Sequence, residues 1–282
     1  MTVSANAKVN LTLEIFGKRT DGYHALRSVV MPITLSDTLD IEVTDDGSIT
    51  SDTGYDDDLC VKAARVLRNV RMSECSDVRM PGARIRVKKR IPAGGGLGGG
   101  SADAAAVLRA LNELWKIGLS RAELAEIGAQ VGSDVPALVM GGPVIMEGRG
   151  EKVQDLSLKT EGLSLVLVNP GVHSSTKDVY AACEARPLDG ENATARMVRA
   201  FGSGDLEEIA AALKNDLQVP AVKQHPEIAD ALVSLKTAGV VGAMMSGSGS
   251  SVFGIVRNAA EAERISSEMN ARGYKSWAVQ TL

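Results

Sequence analysis

The sequence predicts an α+β architecture in two lobes, on three observations. Two strand-like runs, 7–15 and 27–33, lie within the first forty positions. Apolar residues at helical spacing follow, and the strands precede the helices without the strict βαβ alternation of a parallel sheet. The 282 residues are enough for two lobes with separate cores. The polar segment 148–162 lacks apolar periodicity and marks the expected boundary, giving lobes 1–155 and 156–282.

Taken in order, the strand-like runs 7–15 and 27–33 flank the polar turn GKRTDGYH, the pattern of an antiparallel pair, and a third strand is expected at 40–43. After the acidic, turn-rich stretch 45–58, LCVKAARVLRNV carries apolar residues at helical spacing. ARIRVKKRI then alternates apolar with basic residues, which predicts a strand with Arg84, Arg86 and Lys88 facing solvent, ending at Pro92. A glycine run opens the helix SADAAAVLRALNELWKI, and a second helix, 121–130, starts after the N-cap candidate Ser120. Beyond GGPVIMEGRGE the expectation is a strand at 163–168, helical stretches to about 238, and two short strands around MMSGSGSSVFGIV. A last helix precedes a strand ending near Val279.

Composition excludes several classes. A hydrophobic fraction of 44% and a mean hydropathy of +0.01 are those of an ordinary globule. No apolar run approaches the roughly 20 residues that span a bilayer. The N-terminal segment lacks a basic stretch followed by a long apolar one, so the expectation is a cytoplasmic, unprocessed chain without a membrane partner. A net charge of −4 gives no field to attract nucleic acid, and no aromatic interleaves with the basic strand 84–90. Cys60, Cys75 and Cys183 show no CxxC spacing, and His24, His173 and His225 form no cluster in sequence. Neither disulfide framework nor protein-held catalytic metal is expected.

IPAGGGLGGGSADAA places six glycines in the seven positions 94–100, between a strand and a helix. Without Cβ atoms, backbone amides can crowd around an anion, and the helix start adds partial positive charge. Ser101 adds a hydroxyl near a phosphate or its magnesium ion. A flexible hinge is the plainer reading, but a hinge has little need of so many glycines directly ahead of a helix. Gly94, Gly96 and Gly99 satisfy GxGxxG, as almost any such run does. The preceding strand carries solvent-facing charges, unlike a first Rossmann strand, and Glu113 and Glu123 lie in expected helices rather than at a second strand's end. No lysine follows the run as in a Walker loop, and HRD and DFG are absent. The positive partner must come from elsewhere, and Lys8 is a candidate.

ANAKVNLTLEI, IPAGGGLGGGSADAA and MSGSGSSVFG occur in this order across residues 5–253. In these three motifs the chain resembles the GHMP small-molecule kinases. The resemblance implies a ribosomal-S5-like N-terminal lobe, a ferredoxin-like C-terminal lobe, ATP with Mg2+, and phosphoryl transfer to a small hydroxylated acceptor. AKVNLTLEIFGKRTDGYHALRS together with VGSDVPALVMGGPVIMEGRGE is similar to those members whose acceptor carries a cytidine diphosphate group; DGYH sets them apart from homoserine, mevalonate and galactose kinases. The alternatives are another small-molecule kinase of the same family, of homoserine or mevalonate type, or a nucleotide sensor without chemistry. A monomer or weak homodimer is expected.

The resemblance assigns residues. Asp134, in GSDVP, would accept the hydroxyl proton, although a lone aspartate there is more often a turn or cap residue. Lys8 would stabilise charge on the acceptor and transferring group, although a lysine on such a strand is often a solvated edge residue. Asn10, on the same strand face, would bind substrate hydroxyls or orient Lys8. Pro92, Ala93, Gly94, Gly95, Gly96, Leu97, Gly98, Gly99, Gly100, Ser101 and Ala102 would hold the nucleotide. Tyr23 would stack on the cytosine, with His24 at the base edge, and Tyr180 would close the other face, with Thr176 nearby. Gly247 and Gly249 would let the third motif approach the cradle. Ala102 stands where relatives often carry a second serine, and Ala137 replaces a bulkier residue.

Overall fold

The computed structural model describes residues 1–20, 22, 24–74, 81–156, 162–184 and 193–282, with residues 71–74 as backbone only. Tyr23 and Cys75 lie outside the described residues. Two compact units interleave along the chain. The first comprises Met1–Ala7, Ser36–Ile91 and Gly98–Gly141; the second comprises Lys8–Leu35, Pro92–Leu97 and Gly142–Leu282.

The chain opens with β1 (Thr2–Asn10), β2 (Thr12–Lys18) and the long β3 (His24–Thr44), followed by β4 (Ile49–Ser51) and α1 (Leu59–Glu74). β5 (Gly82–Lys88), α2 (Gly99–Leu114), α3 (Arg121–Gly128) and α4 (Val135–Met140) complete the first unit. Within it, β3 pairs antiparallel with β5 from Thr38↔Lys88 to Thr44↔Gly82, and β4 pairs parallel on the other edge of β5. The alternation of β5 is as expected: Ala83 and Ile85 are buried, while Arg84, Arg86 and Lys88 are exposed. The small side chains of Ala102, Ala104, Ala105 and Ala106 are buried on α2 and let α1 and α4 pack closely against it. Ser120 caps α3 in a full capping box with Glu123.

The second unit takes β2, the first part of β3, β6 (Val144–Gly148) and β7 (Lys152–Asp155). β8 (Ser164–Asn169), α5 (Thr176–Ala181), α6 (Ala193–Ser203), α7 (Leu206–Ala212), β9 (Lys214–Asn215), α8 (Gln218–Gln224) and α9 (Pro226–Thr237) follow. β10 (Gly242–Met245), β11 (Val252–Val256), α10 (Ala259–Ala271) and β12 (Lys275–Gln280) end it. β2 and β6 flank β3 antiparallel, β7 extends β6, and β9 runs parallel to β2. A second sheet, β10-β11-β8-β12, is antiparallel throughout. Its strand β8 is buried at every residue, which explains the unbroken apolar run SLVLV.

Two expectations change. The run 7–15 is two strands, because the Thr12 hydroxyl takes the Val29 amide at 2.9 Å where a backbone carbonyl would continue the ladder. The runs 27–33 and 40–43 are one strand of 21 residues. The turn-like SDT between them stays extended because Asp37, fully buried, turns its carboxylate to the amides of Arg90 and Ile91 at 2.5 and 2.8 Å.

Candidate active site

In the second unit the site begins on β1. Lys8 is 3% exposed, which removes the solvated-edge reading. Its Nζ donates to Asn10 Oδ1 at 2.6 Å and to the Gly96 carbonyl at 2.9 Å, and its amide donates to the Leu97 carbonyl at 3.1 Å. Burying an ammonium is tolerated because it is hydrogen-bonded. Asn10, 1% exposed, spends its Nδ2 on Ser28 Oγ at 2.8 Å, and Ser28 Oγ donates to the Thr12 carbonyl at 2.5 Å. Of the two roles open to Asn10, these bonds serve the orientation of Lys8.

The loop 246–251 clasps the glycine run. Ser246 Oγ donates to the Gly96 carbonyl at 3.0 Å, and the Ser251 amide to the Gly95 carbonyl at 3.2 Å. A Cβ at Gly96, whose φ is +72°, would overlap the Ser246 carbonyl oxygen, and one at Gly247 would lie 2.9 Å from the Gly96 oxygen and 3.2 Å from Lys8 Nζ. Backbone therefore meets backbone here, and only glycine permits it. Asn215 Nδ2 holds the clasp through the carbonyls of Met245 and Gly247, both at 2.8 Å.

In the first unit, Gly98 at φ +69° precedes α2, and no side chain caps this helix start. The amides of Gly99, Gly100 and Ser101 precede the first intrahelical donor, the Ala102 amide, and so have no acceptor within the helix. The amide of Ala102 is taken by the Gly98 carbonyl at 2.8 Å, and the Ala102 side chain is buried at 1% exposure. A Cβ at Gly132 would lie 3.7 Å from Ser101 Oγ, so the helix start adjoins the turn that carries Asp134. Asp134 occupies the N-cap position of α4 without a side-chain capping bond, which sets aside the cap reading. Among the described residues no group of three or more His, Cys, Asp or Glu converges as a metal site. A hydroxyl beside a helix start fits a magnesium ion that arrives on nucleotide phosphates rather than one held in an all-protein cage.

The aromatic residues of the second unit meet: the rings of His24 and Tyr180 are 5.8 Å apart with a 38° tilt. Thr176 Oγ1 is 2.8 Å from Ser248 Oγ, which ties α5 to the clasp. Tyr23 lies outside the described residues. Sequence reasoning missed three contributors. The ring of His173 stands against Gly94, Asn169 Nδ2 donates to Ser251 Oγ at 3.0 Å beside Gly95, and Asn215 holds the clasp. Asn169 was hidden in NPG, an ordinary turn signal, and lone polar residues such as His173 and Asn215 leave no pattern.

Comparison with known proteins agrees with this geometry. Residues 58–142 match the family model of the GHMP kinases N terminal domain, and residues 197–275 match that of the GHMP kinases C terminal. A 4-diphosphocytidyl-2-C-methyl-D-erythritol kinase of Pelotomaculum thermopropionicum is 44% identical, covering 94% of this chain and 92% of its own. One from Symbiobacterium thermophilum is 37% identical over the whole of both chains. A crystal structure of 4-(cytidine 5'-diphospho)-2C-methyl-D-erythritol kinase superposes with a TM-score of 0.83 at 30% identity, covering 100% of this chain and 99% of that one. With a glycine cradle, a serine–glycine clasp, and similarity to such relatives from end to end, this chain belongs to the GHMP kinase family.

Proposed function

We propose that this chain transfers the γ-phosphoryl group of ATP to the 2-hydroxyl of 4-diphosphocytidyl-2-C-methyl-D-erythritol, the acceptor type in its relatives' names, in non-mevalonate isoprenoid precursor synthesis. The observation that carries this reading is the buried Lys8 ammonium, aimed by Asn10 and bonded to the Gly96 carbonyl. Phosphoryl transfer asks mainly for position and charge stabilisation, with one group to take the hydroxyl proton. Lys8 lowers the cost of the forming alkoxide and of charge on the transferring group. Asp134 accepts the proton, in keeping with its place on the turn that adjoins the start of α2. The amides of Gly99, Gly100 and Ser101 bind phosphate, and Mg2+ enters on the nucleotide with the Ser101 hydroxyl as the protein's contribution. His24 and Tyr180 hold the cytosine at their neighbouring rings. We place the enzyme in the cytoplasm as a monomer or weak homodimer; among the described residues no helix is long and apolar enough to cross a membrane.

An ADP-release assay with ATP and Mg2+ tests this against four acceptors: 4-diphosphocytidyl-methylerythritol, homoserine, mevalonate and galactose. Turnover of the first alone is expected; turnover of another alone overturns the acceptor. Lys8→Ala and Asp134→Asn are each expected to lower kcat by roughly a hundred- to ten-thousand-fold with nucleotide affinity retained. Unchanged kcat in either removes that residue from the chemistry.

A further inference from the structure

Both feet of the glycine loop stand in the first unit, one at Lys89–Ile91 and the other at Gly98 and the first turns of α2. Lys89 Nζ joins them. It donates to Asp37 Oδ2 at 2.5 Å and to Asp103 Oδ2 at 2.6 Å. Asp37, fully buried on β3, uses its other oxygen to accept the amides of Arg90 and Ile91, so the outgoing foot is held at three points. Asp103, 3% exposed on α2, is the returning foot, and its Oδ1 is buried without a hydrogen-bond partner. A Cβ at Gly99 would sit 3.0 Å from Ile91 Cγ2 and 3.5 Å from Lys89 Nζ, so the two feet leave no room for a side chain between them.

Leaving a buried carboxylate oxygen unsatisfied is costly, and a lysine and two acids are an expensive way to make a core. The fold of β5 and α2 does not require them, since apolar residues would close the same gap. The network spans the base of the loop: cutting it frees the distance between residues 91 and 98 that sets the curvature of the glycine run.

We propose that Lys89, through Asp37 and Asp103, is a positioning residue for nucleotide binding, stapling the two feet of the glycine loop so that its amides are held in one arrangement before ATP arrives. A pre-ordered loop loses less conformational freedom on binding. Charge closes the staple: burial works against the ammonium, but the hydrogen bonds and charges of Asp103 and Asp37 outweigh it and hold the Lys89 pKa above its usual value. Around Asp103 the titratable neighbours are Lys89, Asp37 on β3 and Cys60 on α1, which itself faces Asp58. The inference rests on reading residues 92–102 as the ATP site.

Steady-state kinetics with both substrates varied, together with calorimetric binding of a non-hydrolysable ATP analogue, test it. Lys89→Met is expected to raise KM for ATP and the analogue's Kd by about tenfold, with kcat and the acceptor's KM within about twofold of the parent. A loss of folded enzyme alone would lower kcat and leave KM unchanged. Should Lys89→Met not fold, the near-isosteric Asp103→Asn carries the test, with an expected rise of about threefold in the same two constants. Gly100→Glu is the control: Gly100 is exposed and a Cβ there meets only Leu59 Cδ1 at 3.5 Å, so the variant folds but sets a carboxylate at the phosphate donors. If Gly100→Glu raises KM for ATP and the folded staple variant does not, the staple is refuted alone. If neither changes it, the cradle reading falls with it.

Discussion

At the scale of single residues, burial decides what a charged side chain does. Lys8 and Asp103 are equally enclosed, at 3% exposure each, yet differ in partners. Lys8 Nζ donates to Asn10 Oδ1 and to the Gly96 carbonyl, and Asp103 shares the Lys89 ammonium with Asp37. Burial pushes the Asp103 carboxyl from 3.8 up to about 7, Lys89 opposing and Asp37 adding to the rise. A carboxyl with a raised folded pKa binds its proton more tightly in the native state. Its contribution to stability is therefore present at low pH and is lost as pH climbs from about 4 toward 7. Thermal unfolding of Asp103→Asn and the parent at successive pH values should show the variant gaining on the parent through that window. A difference in Tm that stays constant with pH would contradict the assignment. None of this was visible in SADAA, where Asp103 reads as one more polar helix residue; its partners come from 14 and 66 positions away in the chain.

At the scale of elements, legibility followed local pattern. Helices α1, α2 and α3 and strands β5 and β8 were expected within a few residues, and Ser120 as the N-cap of α3 was right to the residue, because periodicity and capping chemistry are local. β4, β6, β7, β9 and α4, each of two to six residues, carry too few side chains to show a period. Their presence depends on neighbours, as when β6 forms by pairing with β3. Two substitutions separate local from tertiary effects. Ser120→Ala removes the cap and should cost about 1 kcal/mol in denaturant unfolding without altering KM for ATP. Gly96→Ala must fit a side chain at φ +72° against the Ser246 carbonyl, and should raise KM for ATP at least tenfold, with roughly 1–3 kcal/mol lost in stability. A Gly96→Ala enzyme with wild-type KM would mean that the clasp does not shape the cradle.

At the scale of the whole molecule, ligand binding and folding are linked, since ATP binds the folded chain and not the unfolded one. A non-hydrolysable analogue at a hundred times its Kd should stabilise the enzyme by about 2.7 kcal/mol, read as a rise in Tm, and Gly100→Glu should lose most of that rise at the same concentration. An equal rise in both would move the nucleotide away from the start of α2. By itself the sequence determined the α+β class and, through three ordered motifs, the family, and it set the glycine run apart from Walker and dinucleotide loops. These are properties of short contiguous segments, whose chemistry is written in adjacent residues. Tertiary structure alone decided that Lys8 is buried rather than at an edge, that Asn10 Oδ1 accepts from Lys8 while its Nδ2 donates to Ser28, that Ser246 and Asn215 shape the clasp, and that Lys89 ties the loop's feet together. Each of these depends on a partner brought close by folding, and a hydrogen bond between distant residues leaves no period or motif in the chain.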